Sequence, residues 1–196
     1  MKLRFGVLAA VSGSLFLGLI AACSTAEANP QTLMEQGHSF QEGLDGWAAR
    51  ANLVPSSVVW EAAAMNEPSS DEAGSAQVDI DASGGAGVVW LQQRFPVDVK
   101  AEAEVVVEVV LRARAEGDAE EDVQLVFWSK RSAPLDRNSF DNKEALVLDG
   151  TWREYTFTET VQVPGGGGPW IAFGVEVAEG STITVNFDEV NVKVDG

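Results

Sequence analysis

Cysteine and histidine each occur once in these 196 residues, and the 13 basic residues are outnumbered by 30 acidic ones. Each shortage excludes something. With Cys23 alone, no disulfide can form within the chain. With His38 alone, neither a Ser-His-Asp triad nor a histidine-based metal site can be assembled. A net charge of −17 repels phosphate backbones, which excludes nucleic acid as a partner. No stretch combines a helical period with cap signals, apart from the short Glu61-Ala62-Ala63-Ala64-Met65, and no internal repeat is visible. The glycine-rich Pro164-Gly165-Gly166-Gly167-Gly168-Pro169 lacks the Lys-Ser/Thr of a phosphate loop and reads as a hairpin connection.

Long apolar runs are also scarce: there is one, from Phe5 to Ile20, behind Lys2 and Arg4. A basic start, an apolar centre and small residues before Cys23 mark an export signal. Two other readings are a membrane-spanning anchor, which needs about 20 apolar residues, and a plain secretory signal. The ending Ile20-Ala21-Ala22-Cys23 resembles a bacterial lipoprotein box. That resemblance implies cleavage after residue 22 and lipidation of Cys23, and several acyl tails hold a domain stably. Ser24 after the cysteine resembles lipoproteins sent on to an outer membrane. The expected organisation is a signal peptide over 1–22, a flexible tether over 23–37 and one domain over 38–196, at the bacterial cell envelope. Removing the signal leaves 11 basic and 30 acidic residues, a net charge of −19.

The domain reads as all-β. Runs rich in Val, Ile, Phe and Trp span 88–95, 103–115, 122–129, 152–160, 170–177 and 182–193, with weaker ones at 58–63 and 75–80. Turn residues separate them at 82–85, 116–118, 149–150 and 179–181. Two packed antiparallel sheets are the economical solution. Alternation then sorts the faces. Val89, Leu91 and Phe95 oppose Trp90, Gln92 and Arg94. Val123, Leu125 and Phe127 oppose Gln124, Val126 and Trp128. Val105, Val107, Val109, Leu111 and Ala113 oppose a face with Glu104, Glu108, Arg112 and Arg114. Tryptophan beside amides and guanidinium groups is unusual for a solvent face. It suits sugars, whose C–H faces lie on aromatic rings while polar side chains bond the hydroxyls.

Five motifs in order strengthen this. They are Ser39-Phe40-Gln41-Glu42-Gly43-Leu44-Asp45-Gly46-Trp47, Leu91-Gln92-Gln93-Arg94-Phe95, Arg112-Ala113-Arg114-Ala115-Glu116, Thr151-Trp152-Arg153-Glu154-Tyr155-Thr156-Phe157 and Phe187-Asp188-Glu189-Val190-Asn191-Val192. Together they resemble carbohydrate-binding modules of families four and nine, over about residues 38 to 194. The resemblance implies a galactose-binding-like antiparallel jelly roll whose concave sheet grips glycans, often with a structural calcium. Its opening motif carries Glu directly after Phe; here Gln41 stands there and Glu42 follows. Glu42 and Asp188 are the candidate calcium ligands, the alternative being solvated acids.

The candidate sugar site comprises Trp90, Gln92, Arg94, Arg112, Gln124, Trp128 and Phe140. Trp90 and Trp128 are either platforms or packing beneath the long loop 130–145, and Phe140 either lines the site or pins that loop. Gln92, Arg94, Arg112 and Gln124 are either sugar partners or ion-pair and hydrogen-bond partners of Glu104 and Glu108. Trp47, Trp152 and Phe187 are expected in the core, and Trp60 and Trp170 are left unassigned. Thirty acids leave a carboxylate pair for glycoside hydrolysis open, yet none is singled out by its setting. The expected function is non-catalytic polysaccharide binding by a membrane-anchored lipoprotein. The alternatives are a jelly roll docking onto another envelope protein and, last, a small glycoside hydrolase or lyase.

Overall fold

The computed structural model describes residues 31–38, 40, 44, 46–52, 58–63 (backbone only), 74–100, 102–119, 121–163 and 167–196. The signal peptide, Cys23 and Glu42 lie outside the described residues. Among the described residues eleven strands follow in chain order: β1 Thr32–His38, β2 Ala48–Asn52, β3 Val58–Ala63, β4 Ser75–Asp81, β5 Gly87–Arg94, β6 Ala103–Asp118, β7 Gln124–Lys130, β8 Asn142–Ala145, β9 Arg153–Val163, β10 Trp170–Val177 and β11 Thr182–Asp195. Among the described residues the only helical turn is a 3-10 turn at Arg137–Ser139, capped by Asp136.

The strands form two antiparallel sheets, as the alternation predicts, in the jelly-roll β-sandwich that the resemblance implies. One sheet has the order β3-β4-β11-β6-β9, with β1 also paired to β11; the other has the order β2-β5-β10-β7-β8. Strand β6 shows how sequence builds the core. Val105, Val107, Val109, Leu111, Ala113 and Ala115 all point inward and are buried. They face Leu91, Leu125, Phe127, Ile171, Phe173 and Val175 of the other sheet within one continuous core. Phe127 and Phe157 stack across the two sheets at 5.0 Å with 14° between their planes. Losing such a ring costs about 3–5 kcal/mol. An aromatic cluster extends the core: Trp47 packs on Phe95 at 5.5 Å and on Phe173 at 4.8 Å, and Phe173 packs on Phe187 at 5.2 Å.

Several expectations change here. Residues 32–38 are a strand, so the tether expected over 23–37 is shortened at its C-terminal side. Polar Thr32, Glu35 and Gln36 hid this strand, because backbone pairing with β11 rather than apolar alternation holds it. His38, expected at a linker edge, is buried and lies edge-on to Trp47 at 5.4 Å. The weaker strand expected over 58–63 forms and pairs with β4, so the helical signal at Glu61, Ala62 and Ala63 is not followed. Trp47 and Phe187 are core residues as expected, whereas Trp152 is only half-buried.

Strand direction gives the sandwich two ends. At one end lie Thr32, the Gln31–Gly196 backbone pair, Arg94, Lys130 and Trp170. At the other lie the turns 82–86 and 178–181 and the residues Asp118 and Gln124.

Candidate functional site

The outward face of the five-stranded sheet follows from register alone, because residues paired across antiparallel strands point the same way. Trp90, Gly174 and Val126 form one row, with Arg50 and Lys143 at its ends. Gln92, Ala172 and Trp128 form the next, and Arg94, Trp170 and Lys130 the one after. Val88, Glu176 and Gln124 lie on the other side of the Trp90 row. The centre strand thus contributes only Gly174 and Ala172 between two tryptophans. A Cβ at Gly174 would lie 2.0 Å from the Val89 carbonyl oxygen, so no side chain fits there. Small residues flanked by large rings make a trough.

The trough is occupied by the chain itself. Loop 131–141 folds back over the sheet and sets Phe140 between the tryptophans, 5.7 Å from Trp90 and 6.3 Å from Trp128. Val88, Trp90, Val126, Phe140 and Ala172 form a small apolar cluster outside the main core, with Trp128 packed against it. Trp90 is 4% exposed, Gln92 7% and Phe140 3%. The Trp90 Nε1–H donates to Gln92 Oε1 at 2.9 Å, which satisfies both buried groups. Trp128 stays half-exposed, donates from Nε1 to the Ser132 carbonyl at 2.8 Å and has Lys130 Nζ 4.7 Å from its ring. Lys130 in turn bonds Asp141 at 2.7 Å, which ties the far end of the loop down and raises the Lys130 pKa.

The sequence-derived site is therefore only partly assembled. Trp90, Gln92, Trp128 and Phe140 meet, but Trp90 offers no open platform and Phe140 does pin the loop. Arg94 is exposed at the end of the same face, where a Cβ on Gly167 would lie 1.7 Å from its Nη2. Gln124 stands at the opposite end and lines a cavity of about 570 Å³ with Glu121, Asp122, Glu176 and Glu179. Arg112 must be removed from the site. It belongs to β6 in the six-stranded sheet, on the other side of the sandwich, where it pairs with Glu189 at 3.1 Å and Glu154 at 3.8 Å. Alternation gave its face correctly, but the period of one strand carries no information about which sheet that strand joins.

One residue was missed. Trp170 is half-exposed and stands between Arg94 and Lys130 in the row beside Trp128. The signal was available in Trp170-Ile171-Ala172-Phe173-Gly174-Val175, where Trp, Ala and Gly alternate with core residues. The open part of the face thus carries Trp128 and Trp170 with Arg94 and Lys130 around them.

Of the candidate calcium ligands, Asp188 is fully buried and accepts the Glu189 backbone N–H at 2.8 Å. Calcium takes about 6–8 oxygen ligands. Among the described residues no group of three or more His, Cys, Asp or Glu is placed to hold a metal. The remaining ligands would have to come from elsewhere, Glu42 included. No helix among the described residues is long and apolar enough to cross a membrane.

No family profile matches this chain, and no curated protein matches it. Solved structures do. The chain is similar to the CBM22-1 xylan-binding domain of Xyn10C from Paenibacillus barcinonensis, with 20% identity, a TM-score of 0.50 and coverage of 84% of this chain and 95% of that one. It is also similar to the enzymatically active domain of tailspike protein 4 from bacteriophage CBA120, with 12% identity and a TM-score of 0.53 over 79% of this chain and 20% of that one. A third is a structure of carbohydrate-binding modules from the β-sandwich superfamily, with 12% identity and a TM-score of 0.50 over 78% of this chain and 59% of that one. At these identities the likeness is one of fold, and the chemistry must come from the residues.

Proposed function

We propose that this chain is a non-catalytic carbohydrate-binding lipoprotein of the bacterial cell envelope, anchored through Cys23. One observation carries the reading: the open part of the outward face of the five-stranded sheet holds Trp128 and Trp170, with Arg94 and Lys130 beside them and the covered Trp90 and Gln92 continuing the same face. Apolar rings next to amide and cationic donors suit a sugar chain. The jelly-roll fold, shared with carbohydrate-binding modules, supports the same conclusion. Affinity electrophoresis against β-glucans, xylans and cell-wall glycans tests it. Retardation by at least one polysaccharide, lost in Trp128→Ala/Trp170→Ala, is expected. Migration unaltered by every polysaccharide would sink the proposal.

Anchoring is tested separately by metabolic labelling with a fatty-acid analogue, where Cys23→Ser should abolish incorporation. A structural calcium held by Asp188 and Glu42 belongs to the same proposal. A ligand at a hundred times its Kd stabilises by about 2.7 kcal/mol, so chelation should lower Tm and added calcium restore it. A Tm indifferent to chelator removes the metal from the account.

A second reading, docking onto another envelope protein, draws on Leu135, which is 87% exposed on the loop that covers the trough. Cross-linking in intact cells should then capture one reproducible partner, and Leu135→Asp should release it.

A further inference from the structure

A second cleft lies on the flank of the sandwich. Among the described residues, strand β9 is the last strand of its sheet, and β8 pairs with β7 only as far as Phe127, so no strand covers the edge of 128–130. The two edges face each other across a cavity of about 260 Å³ lined by Ser129, Lys130, Arg131, Glu159, Val161 and Gln162. Glu159 points inward on β9, on the same side as buried Phe157 and Val161. Its Oε2 accepts the edge N–H of Ser129 at 3.1 Å, and its Oε1 lies 4.0 Å from Lys130 Nζ. Burial pushes the Glu159 carboxyl above its ordinary range, against the opposing pull of Lys130 and the Ser129 N–H. The Ser129 Oγ is buried and has no hydrogen-bond partner among the described residues.

We infer that this flank cleft is a second sugar subsite, which receives a single neutral sugar ring of a glycan whose neighbouring rings lie on the Trp128 and Trp170 face.

The character of the cleft selects that ligand. Its cations are all engaged: Lys130 faces Asp141 and Glu159, and Arg131 bonds Glu102 at 3.2 Å. Two cations against three carboxylates leave a single negative charge in excess, which turns away acidic sugars and favours a neutral, polar one. Strand edges carry backbone donors and acceptors, of which the Ser129 N–H is taken by Glu159, and a sugar hydroxyl serves as either partner. A carboxylate can accept two neighbouring hydroxyls at once. The Ser129 Oγ offers a further partner at the back wall, where an unpaired buried group is costly. Val161 supplies apolar surface for the C–H edge of the ring. The volume falls just below the roughly 300–1,000 Å³ of drug-sized pockets, so it suits one ring and not a chain. Lys130 joins the two sites, since the same ammonium lies over the Trp128 ring and beside Glu159.

The inference rests on the glycan-binding reading, and the test separates the two. Xylohexaose, cellohexaose and laminarihexaose would be titrated calorimetrically into the full chain and into Glu159→Gln, Gln162→Ala and Trp128→Ala. Glu159→Gln keeps an acceptor for the Ser129 N–H, and Gln162 is exposed, so both variants should stay folded, within about 1 kcal/mol of the unaltered protein. Each should bind the preferred hexaose about tenfold more weakly, the effect of losing a hydrogen bond to a charged or amide group. Amide resonances of Ser129 and Gln162 should move on titration. Full-strength binding by both flank variants, with loss only in Trp128→Ala, overturns the second subsite and leaves the glycan reading standing. Absence of binding to all three hexaoses by the unaltered protein overturns both.

Discussion

The two outward faces of this sandwich are built to opposite rules. On the six-stranded sheet, Thr156, Thr158 and Thr160 of β9 stand beside Glu108 and Val106 of β6. Thr184 and Asn186 of β11 stand beside Asp79 and Gln77 of β4, with Thr184 Oγ1 donating to Asp79 at 2.6 Å and Asn186 Nδ2 to Ser75 at 3.0 Å. No aromatic side chain lies on that face among the described residues. On the five-stranded sheet, three tryptophans surround a glycine and an alanine, and a loop has been drawn over them. On the first face polar side chains bond one another, and the threonines of β9 stand exposed. The second needs a cover for its apolar surface, and where the loop ends, at Trp128 and Trp170, it still offers that surface to something else. On the proposed reading, the same fold therefore has one inert wall and one adhesive wall. Composition of the outward residues, not the backbone, makes the difference.

Substitutions can break or sharpen that contrast. The largest effect is expected for Trp90→Ala, which empties the covered trough and should cost about 3–5 kcal/mol in urea unfolding. Thr158→Ala on the opposite wall should stay within about 0.5 kcal/mol. Equal losses at the two positions would erase the distinction. Phe140→Ala should cost about 3 kcal/mol and, at the same time, raise quenching of tryptophan fluorescence by acrylamide, because the cover over Trp90 is removed. Unchanged quenching would mean that the loop holds its place without its aromatic anchor.

Glu159→Gln on the flank should have a smaller effect of opposite sign. Burial raises this carboxyl in the folded state, so its charged form costs stability above the raised value, and the cost fades as pH falls through it. The variant should therefore melt at or slightly above the unaltered protein at neutral pH, by under about 1 kcal/mol, and should match it in acid. The smallest effect belongs to Asp195→Asn on the inert wall. The hydrogen bond from Lys193 holds the Asp195 carboxyl below its usual range, so its stabilisation is present above the unfolded value and lost as pH falls through the folded one. The variant's Tm should differ little at neutral pH and converge with that of the unaltered protein at low pH.

How much of this was legible in the sequence follows from what periodicity encodes. The strong strands and their inward residues were readable because Val, Leu and Phe alternate without interruption, as in 103–115 and 122–129. Strand β1 was not, because its pairing uses backbone groups that any sequence carries. The face of Arg112 was readable, yet its sheet was not, since two strands with the same alternation can sit on opposite walls. Loop 131–141 drew notice through its length and Phe140, but whether it stands open or lies in the trough depends on Gly174 and Ala172, some 34 residues away in the chain. Glu159 was overlooked although alternation with Tyr155, Phe157 and Val161 puts it on the inward face. What no local pattern reveals is that β7 and β9 leave a cleft around it.

The central claim is that the tryptophan wall, and not the threonine wall, grips a glycan. Isothermal titration of one retained polysaccharide into Trp128→Ala/Trp170→Ala and Thr156→Ala/Thr158→Ala tests it most directly. Buried tryptophan contacts are worth about 2 kcal/mol or more, roughly thirtyfold in affinity. The tryptophan pair should lose at least that factor while the threonine pair binds as the unaltered protein does. Undiminished binding by the tryptophan pair, or its loss in the threonine pair alone, would contradict the account.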